Sequence, residues 1–236
     1  MPQKGRKELK SDKAKRKSPL GLPEDVAAIR AEIQKFFAIV DENEKKIGSH
    51  KHGAYAFYDY DGEPIYVGQT KEKVSGRVGR HLTNQRTDAV AMNVLDPFEV
   101  AYIEVWPLDD MVTGLSKTEV KAILNRVEYT VFQKVLRESE LGAVLNEKEI
   151  TSHEEIALPL SYRAKIIPES IYVHRKHPDV RIARRATTIA NLARVISERK
   201  VSSGLRRTLL TQARRLERLA SRRTEELGID TDFETS

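Results

Sequence analysis

Apolar residues recur along this chain with two periods, and the changes of period divide it into elements. Val26, Ile29, Ile33, Phe36, Phe37 and Val40 return at helical spacing, which predicts an amphipathic helix over 23–46. Residues 54–60 are aromatic and small, of strand type. Asp61-Gly62 then supplies the positive φ angles of a tight hairpin, and 64–68 returns antiparallel. Over 71–82 the pattern becomes helical and sets Arg77 and His81 one turn apart on one face. Alternation resumes at 98–106, a third strand that Pro107 ends. Ser116 and Glu119 form a capping box ahead of a long helix striped by Val120, Ile123, Leu124, Val127, Val131 and Val135, with Gly142 as its stop.

Beyond that helix the signal weakens. Pro159, Pro168 and Pro178 interrupt it and leave a short strand at 170–174. From Val180 it sharpens again: Ile182, Ala186, Ile189, Ala193 and Ile196 stripe one helix, and Leu205, Leu209, Ala213, Leu216 and Leu219 a second. Ser202-Ser203-Gly204 is the turn of an antiparallel helical hairpin. The expected class is α+β: a small three-stranded antiparallel sheet flanked by helices, with an N-terminal helix and a C-terminal basic helical hairpin. The expected divisions are a disordered basic tail (1–22), the N-terminal helix (23–50), a central domain (51–150), a connector (151–179), the hairpin (180–228) and an acidic tail (229–236).

Charge changes this picture more by its distribution than by the total of +6. Residues 1–18 carry eight Lys/Arg against two acids, and 175–223 fifteen against three, whereas 19–174 have eighteen against twenty-five. Two basic arms flanking an acidic centre suit a polyanion held from outside while a smaller acidic site works on it with a cation. Arg184, Arg185, Arg206, Arg207, Arg214 and Arg215 of the hairpin, with Arg80 and Arg86, are the expected contacts to double-stranded DNA, and a dimer arm is the other use the leucine stripe suits. Asn84, Gln85, Arg86 and Asn93 are of the types that read base edges, although loops are polar in any case.

The chain has no cysteine, which excludes disulfides and thiolate metal sites. His174, Arg175 and His177 show no zinc-ligand spacing. No apolar run approaches the ~20 residues of a membrane span, and the N-terminus lacks the apolar core of a secretory signal. A soluble, cytoplasmic protein without a membrane or small-molecule cofactor is expected.

The chemistry gathers between Gly53 and His81. Gly53-Ala54-Tyr55, then Tyr66-Val67-Gly68, then Arg77 with His81 four residues on, resembles the opening half of a GIY-YIG nuclease domain. Alanine and valine stand where that pattern has isoleucine, both apolar exchanges on a strand. The resemblance runs to Asn146, which matches the asparagine closing the motif set. It implies catalytic roles for Tyr55, Tyr66, Arg77, His81, Glu128 and Asn146, with Glu128 the metal ligand.

Glu128 falls in line with Leu124 and Phe132, on or beside the helix face that should be buried, so its carboxylate needs a cation. An ion pair with Arg77 or Arg126 would serve. Beside the tyrosines, Mg²⁺ with Mn²⁺ as its substitute fits better, since Mg²⁺ is commonly held by one or two carboxylates and water. The resemblance is greatest to restriction endonucleases, and implies a site-specific, Mg²⁺-dependent DNA endonuclease working as a homodimer. A structure-directed or homing-type nuclease, or a non-catalytic DNA-binding or assembly protein with the same fold, is the alternative.

Overall fold

The computed structural model describes residues 23–82, 96–146 and 150–229. The expected basic tail, the polar loop with Asn84, Gln85, Arg86 and Asn93, and the acidic tail beyond Ile229 lie outside them.

Helix α1 (Glu24–Ala38) buries Ile33, Phe36 and Phe37 and ends earlier than its stripe suggested. Ile39 is already extended, and the Asp41 carboxylate accepts the N–H groups of Asn43 and Lys45 at 2.9 and 2.8 Å. That local acceptor turns the chain where hydrophobic spacing alone would continue the helix. His50, buried and 2.8 Å from Asp41 through Nε2, then gives its carbonyl to the N–H of Val74 at 2.9 Å. That residue opens α2 (Val74–Leu82).

The sheet has four strands, not three, in the order β2-β1-β3-β4, with every neighbouring pair antiparallel. Strands β1 (Gly53–Tyr58), β2 (Pro64–Thr70) and β3 (Tyr102–Pro107) lie in the regions their alternation predicted. Central β1 is buried along its whole length. Strand β4 (Tyr162–Lys165) pairs with β3 from Tyr102↔Lys165 to Val105↔Tyr162. Four residues with two cations carry too little periodicity to read as a strand. The element exists through its partners, among them the Tyr58 ring, with the Arg163 guanidinium 3.8 Å from its centroid.

One face of the sheet packs Tyr55, Phe57 and Ile103 against Phe36 of α1 and Val74 and Val78 of α2. The other packs Ala54, Ala56 and Val67 against Leu124, Val127, Val131 and Val135. These four belong to α4 (Lys117–Glu138), which follows the short turn α3 (Asp109–Val112) and starts at the Ser116/Glu119 capping box. The 170–174 stretch is helical, within α5 (Glu169–Lys176). Its Ile and Val suggested a strand, but Tyr172 decides the matter by packing on Tyr60 and donating to the Tyr60 carbonyl at 3.2 Å.

The basic hairpin is α6 (Pro178–Glu198) and α7 (Ser203–Glu226). It is joined to the sheet through one carboxylate oxygen. Asp59 Oδ2 accepts from Arg181, Arg185 and Arg215 at 3.1, 2.8 and 2.9 Å, while Oδ1 accepts the N–H groups of Asp61 and Glu63 in the β1–β2 turn. Asp61 and Glu99 complete the charge balance, at 2.7 Å from Arg181 and 2.8 Å from Arg185. Arg215 also donates to the Pro64 carbonyl at 2.9 Å. Burial alone would raise the Asp59 carboxyl, but the three guanidiniums overcome it and hold it below the usual carboxylate range. Among the described residues, no helix is long and apolar enough to cross a membrane.

Removing one partner from such a cluster leaves buried charge uncompensated. Asp59→Asn should therefore destabilise the fold by about 3–5 kcal/mol, read as a lower urea midpoint, whereas Arg206→Ala, on an exposed position, should change it by no more than about 0.5 kcal/mol. Because Asp59 titrates lower folded than unfolded, its contribution is full above the ordinary carboxylate range and disappears on acidification. The mutant should show a shallower acid limb of stability than the parent.

Candidate active site

Antiparallel pairing of β1 and β2 brings the two motif tyrosines together. Phe57 is the register partner of Tyr66, and Tyr55 of Gly68. The rings of Tyr55 and Tyr66 lie 6.2 Å apart, and His81 of α2 closes the group, 5.2 Å from the Tyr66 ring. The Tyr55 hydroxyl is 3.1 Å from His81 Nε2. Tyr55 and His81 are buried, whereas Tyr66 is half-buried.

Gly68 is required by this packing. A Cβ there would stand 2.7 Å from Tyr55 Oη and 2.9 Å from Tyr66 Cε1, so the two side chains meet over a bare Cα. Gly53 is hemmed in as well, its absent Cβ lying 3.0 Å from Val74 Cγ2 and 3.2 Å from the Trp106 carbonyl. The outer glycines of both triplets thus have a steric reason in the finished fold.

Arg77, one helical turn before His81, is half-buried and hydrogen-bonded to Tyr55. Burial works against its charge, but the phenols of Tyr55 and Tyr66 and the carboxylate of Glu72 outweigh that and strengthen its hold on the proton. Its Nε is buried with no hydrogen-bond partner. A fixed cation that is only half-buried can meet an anion.

Glu128 comes from α4, which covers the other face, and lies near β2, within the field of Arg77. Its Oε2 accepts Gln69 Nε2 at 2.8 Å. Burial raises its carboxyl above the ordinary value, only partly offset by the Gln69 side chain, the positive charge of Arg77 and the Gln69 backbone N–H. Arg77 is therefore within electrostatic reach of Glu128. Arg126, the other expected counter-charge, turns to Glu154 at 3.0 Å.

Asn146 sits on the same edge. Its amide accepts the Val67 N–H at 3.1 Å and donates to the Val67 carbonyl at 2.8 Å, next to a bond of 2.7 Å from Leu145 N–H to the Ile65 carbonyl. It behaves as one more paired residue of the sheet and fixes the strand bearing Tyr66. Gln69 and Asn125, whose Oδ1 shares the same Gln69 Nε2 at 2.9 Å, were missed by sequence reasoning. Gln69 lies one residue past the second triplet, and Asn125 three residues before Glu128 on the same helical face, a spacing that points to the contact only once Glu128 is suspected.

The expected DNA-binding arginines divide sharply. Arg185 and Arg215 are buried at Asp59 and cannot meet a nucleic-acid backbone. The pattern of a single helix showed no acids to neutralise them because those acids, Asp59 and Glu99, lie more than eighty residues earlier. Arg184 is ion-paired to Asp96 at 2.9 Å and lies 3.9 Å over the Phe98 ring; Arg80 pairs with Glu72. Arg206, Arg207 and Arg214 are exposed, and Arg86 is outside the described residues.

Among the described residues, no group of three or more His, Asp or Glu could hold a metal ion. What the donor set offers is one raised, partly buried carboxylate beside a guanidinium. That fits a mostly hydrated hard cation completed by a phosphate and does not fit a closed zinc-type site.

Gly68→Ala tests the tyrosine packing directly. The added methyl must displace Tyr55 or Tyr66, at an expected cost of about 1–3 kcal/mol, and should shift the His81 imidazole resonances in NMR while distant amides of α6 stay in place.

No curated protein and no solved structure matches the chain. The family model described as the GIY-YIG catalytic domain matches residues 51–129, which supports the GIY-YIG nuclease superfamily for this part of the chain and takes in Tyr55, Tyr66, Arg77, His81 and Glu128.

Proposed function

We propose that this protein is a metal-dependent DNA endonuclease that hydrolyses phosphodiester bonds. The observation that carries the reading is Arg77, half-buried and hydrogen-bonded to Tyr55, with Glu128 within its field. A phosphodiester resists hydrolysis because its oxygens repel a nucleophile and its alkoxide leaves poorly. A nuclease must activate water, offset the added negative charge and assist the departing oxygen.

Arg77, only half-buried as a residue, suits a non-bridging oxygen of the scissile phosphate, to which a guanidinium donates with charge assistance. Tyr55 has what a phenol needs to act as a base: a cation hydrogen-bonded to it and an imidazole at 3.1 Å able to take its proton. Free tyrosine, with a pKa of about 10, would be a poor base without them. Tyr66, half-buried beside it, is the donor available to phosphate or water. Glu128 is the residue that would hold Mg²⁺ or Mn²⁺, and the ion supplies charge neutralisation at the scissile phosphate and the leaving oxygen.

Within that class we favour a site-specific restriction-type enzyme that cuts both strands as a homodimer. The compact nuclease module carries an extra helix and a tightly joined helical hairpin, and one domain offers one site. Arg206, Arg207 and Arg214 are exposed hairpin residues suited to backbone contacts.

Plasmid DNA incubated with the protein and Mg²⁺, followed by sequencing of the ends, is the direct test. Discrete ends at one short sequence support the restriction reading; scattered ends indicate a nonspecific or structure-directed nuclease; intact but bound plasmid leaves a DNA-binding protein. Glu128→Gln should abolish cleavage with DNA affinity retained and thermal stability undiminished, because burying the ionised carboxylate is a cost the amide avoids. Cleavage needs that carboxylate ionised, so the acid limb of the pH–rate profile should lie above the ordinary glutamate value of about 4.3. Joint replacement of Arg206, Arg207 and Arg214 by alanine should reduce the slope of log affinity against log salt by about 0.9 for each phosphate that is no longer neutralised.

A further inference from the structure

Gln69 stands outside the roles just assigned, and its geometry is unusual for a surface strand residue. A single nitrogen, Nε2, donates both to Glu128 Oε2 at 2.8 Å and to Asn125 Oδ1 at 2.9 Å. Both partners are acceptors, so the amide cannot turn over without opposing oxygen to oxygen; its orientation is fixed by its neighbours. The opposite end is buried, and there Gln69 Oε1 has no hydrogen-bond partner. An unsatisfied buried acceptor costs about 1–3 kcal/mol.

The backbone says the same. β2 is an outer strand whose outward groups are taken in turn by Leu145 at Ile65 and by Asn146 at Val67. At the next outward position the Gln69 N–H draws on the Glu128 carboxylate. The side-chain amide of Gln69 is thus the group that holds Glu128. Gln69 directly follows Gly68, the glycine over which Tyr55 and Tyr66 meet.

We propose that Gln69 is the positioning residue for Glu128: its side-chain amide fixes the rotation of a carboxylate carried by α4 on the opposite side of the sheet, and so presents it to a divalent cation. This rests on the metal-dependent nuclease reading. Because the amide donates to the ionised form, it also favours a charge that burial opposes.

The test uses the full chain with Gln69→Met, which keeps the length and loses the donor, and Gln69→Lys, which replaces the amide with a cation. Two readouts besides cleavage apply: the titration of the Glu128 carboxyl, followed by ¹³C NMR on glutamate-labelled protein, and Mn²⁺ binding, followed by the electron-spin signal of the free ion. The Glu128 carboxyl should titrate higher in Gln69→Met and lower in Gln69→Lys than in the parent. Mn²⁺ affinity should fall about ten- to hundredfold in Gln69→Met.

Identical Glu128 titration in all three chains overturns the proposal, as does a parent and a Gln69→Met chain that bind Mn²⁺ equally. A parent that binds no Mn²⁺ overturns the metal-dependent reading itself and this inference with it, a result distinct from the first two. If Gln69→Met fails to fold, Gln69→Leu, which also lacks the donor, takes its place, and Mn²⁺ binding equal to that of the parent overturns the proposal.

Discussion

Three guanidinium groups share one carboxylate oxygen at Asp59, and the arrangement of the molecule follows from that contact. Each ion in it is costly to bury, and none could stay without the others. The cost is met by balance, with Asp61 and Glu99 matching the remaining arginine charge, and by backbone: Asp59 Oδ1 takes two N–H groups of its own turn, while Arg185 and Arg215 donate to the carbonyls of Arg215 and Pro64. The same turn joins the strands that carry Tyr55 and Tyr66. Pulling the helical hairpin away would expose that turn's charge and loosen the strands, so the basic appendage and the tyrosine group form one mechanical unit.

The site is built at a strand edge rather than in a deep cavity. Tyrosines, histidine and arginine come from the face covered by α1 and α2; the glutamate comes from α4 on the other face. They can meet only where the sheet ends, at β2, and the outward backbone groups there are taken up by Asn146 and Glu128. Two jobs are done by one arrangement: the exposed edge is satisfied, and an acid is brought into the field of Arg77.

Much of this was legible in the chain because the informative features are local. The tyrosine triplets, the Asp61-Gly62 turn, the Arg77/His81 helical pair and the Ser116/Glu119 box each lie within a few residues of sequence, where steric and hydrogen-bonding rules act directly. Placing Glu128 near Arg77 needed only the periodicity of α4 and the family resemblance. What escaped depends on distant partners. β4 is a strand because β3 and Tyr58 are beside it. The 170–174 segment is helical because Tyr172 finds Tyr60. Arg185 and Arg215 looked like DNA contacts because an amphipathic stripe reveals which face is charged but not which charges are already matched elsewhere. The basic excess of the hairpin therefore overstates the charge it can offer to a polyanion.

The Asp59 contact also bears on the order in which the protein is made. Arg215 follows Asp59 by 156 residues, so a chain emerging from the ribosome presents its tyrosine strands long before the last guanidinium that steadies their turn. Until that arginine arrives, the turn holds an acid without its full set of counter-charges, and the strands are less firmly set. The final geometry of the phenols is thereby tied to the arrival of α7, a timing written into the sequence distance between a turn and a helix.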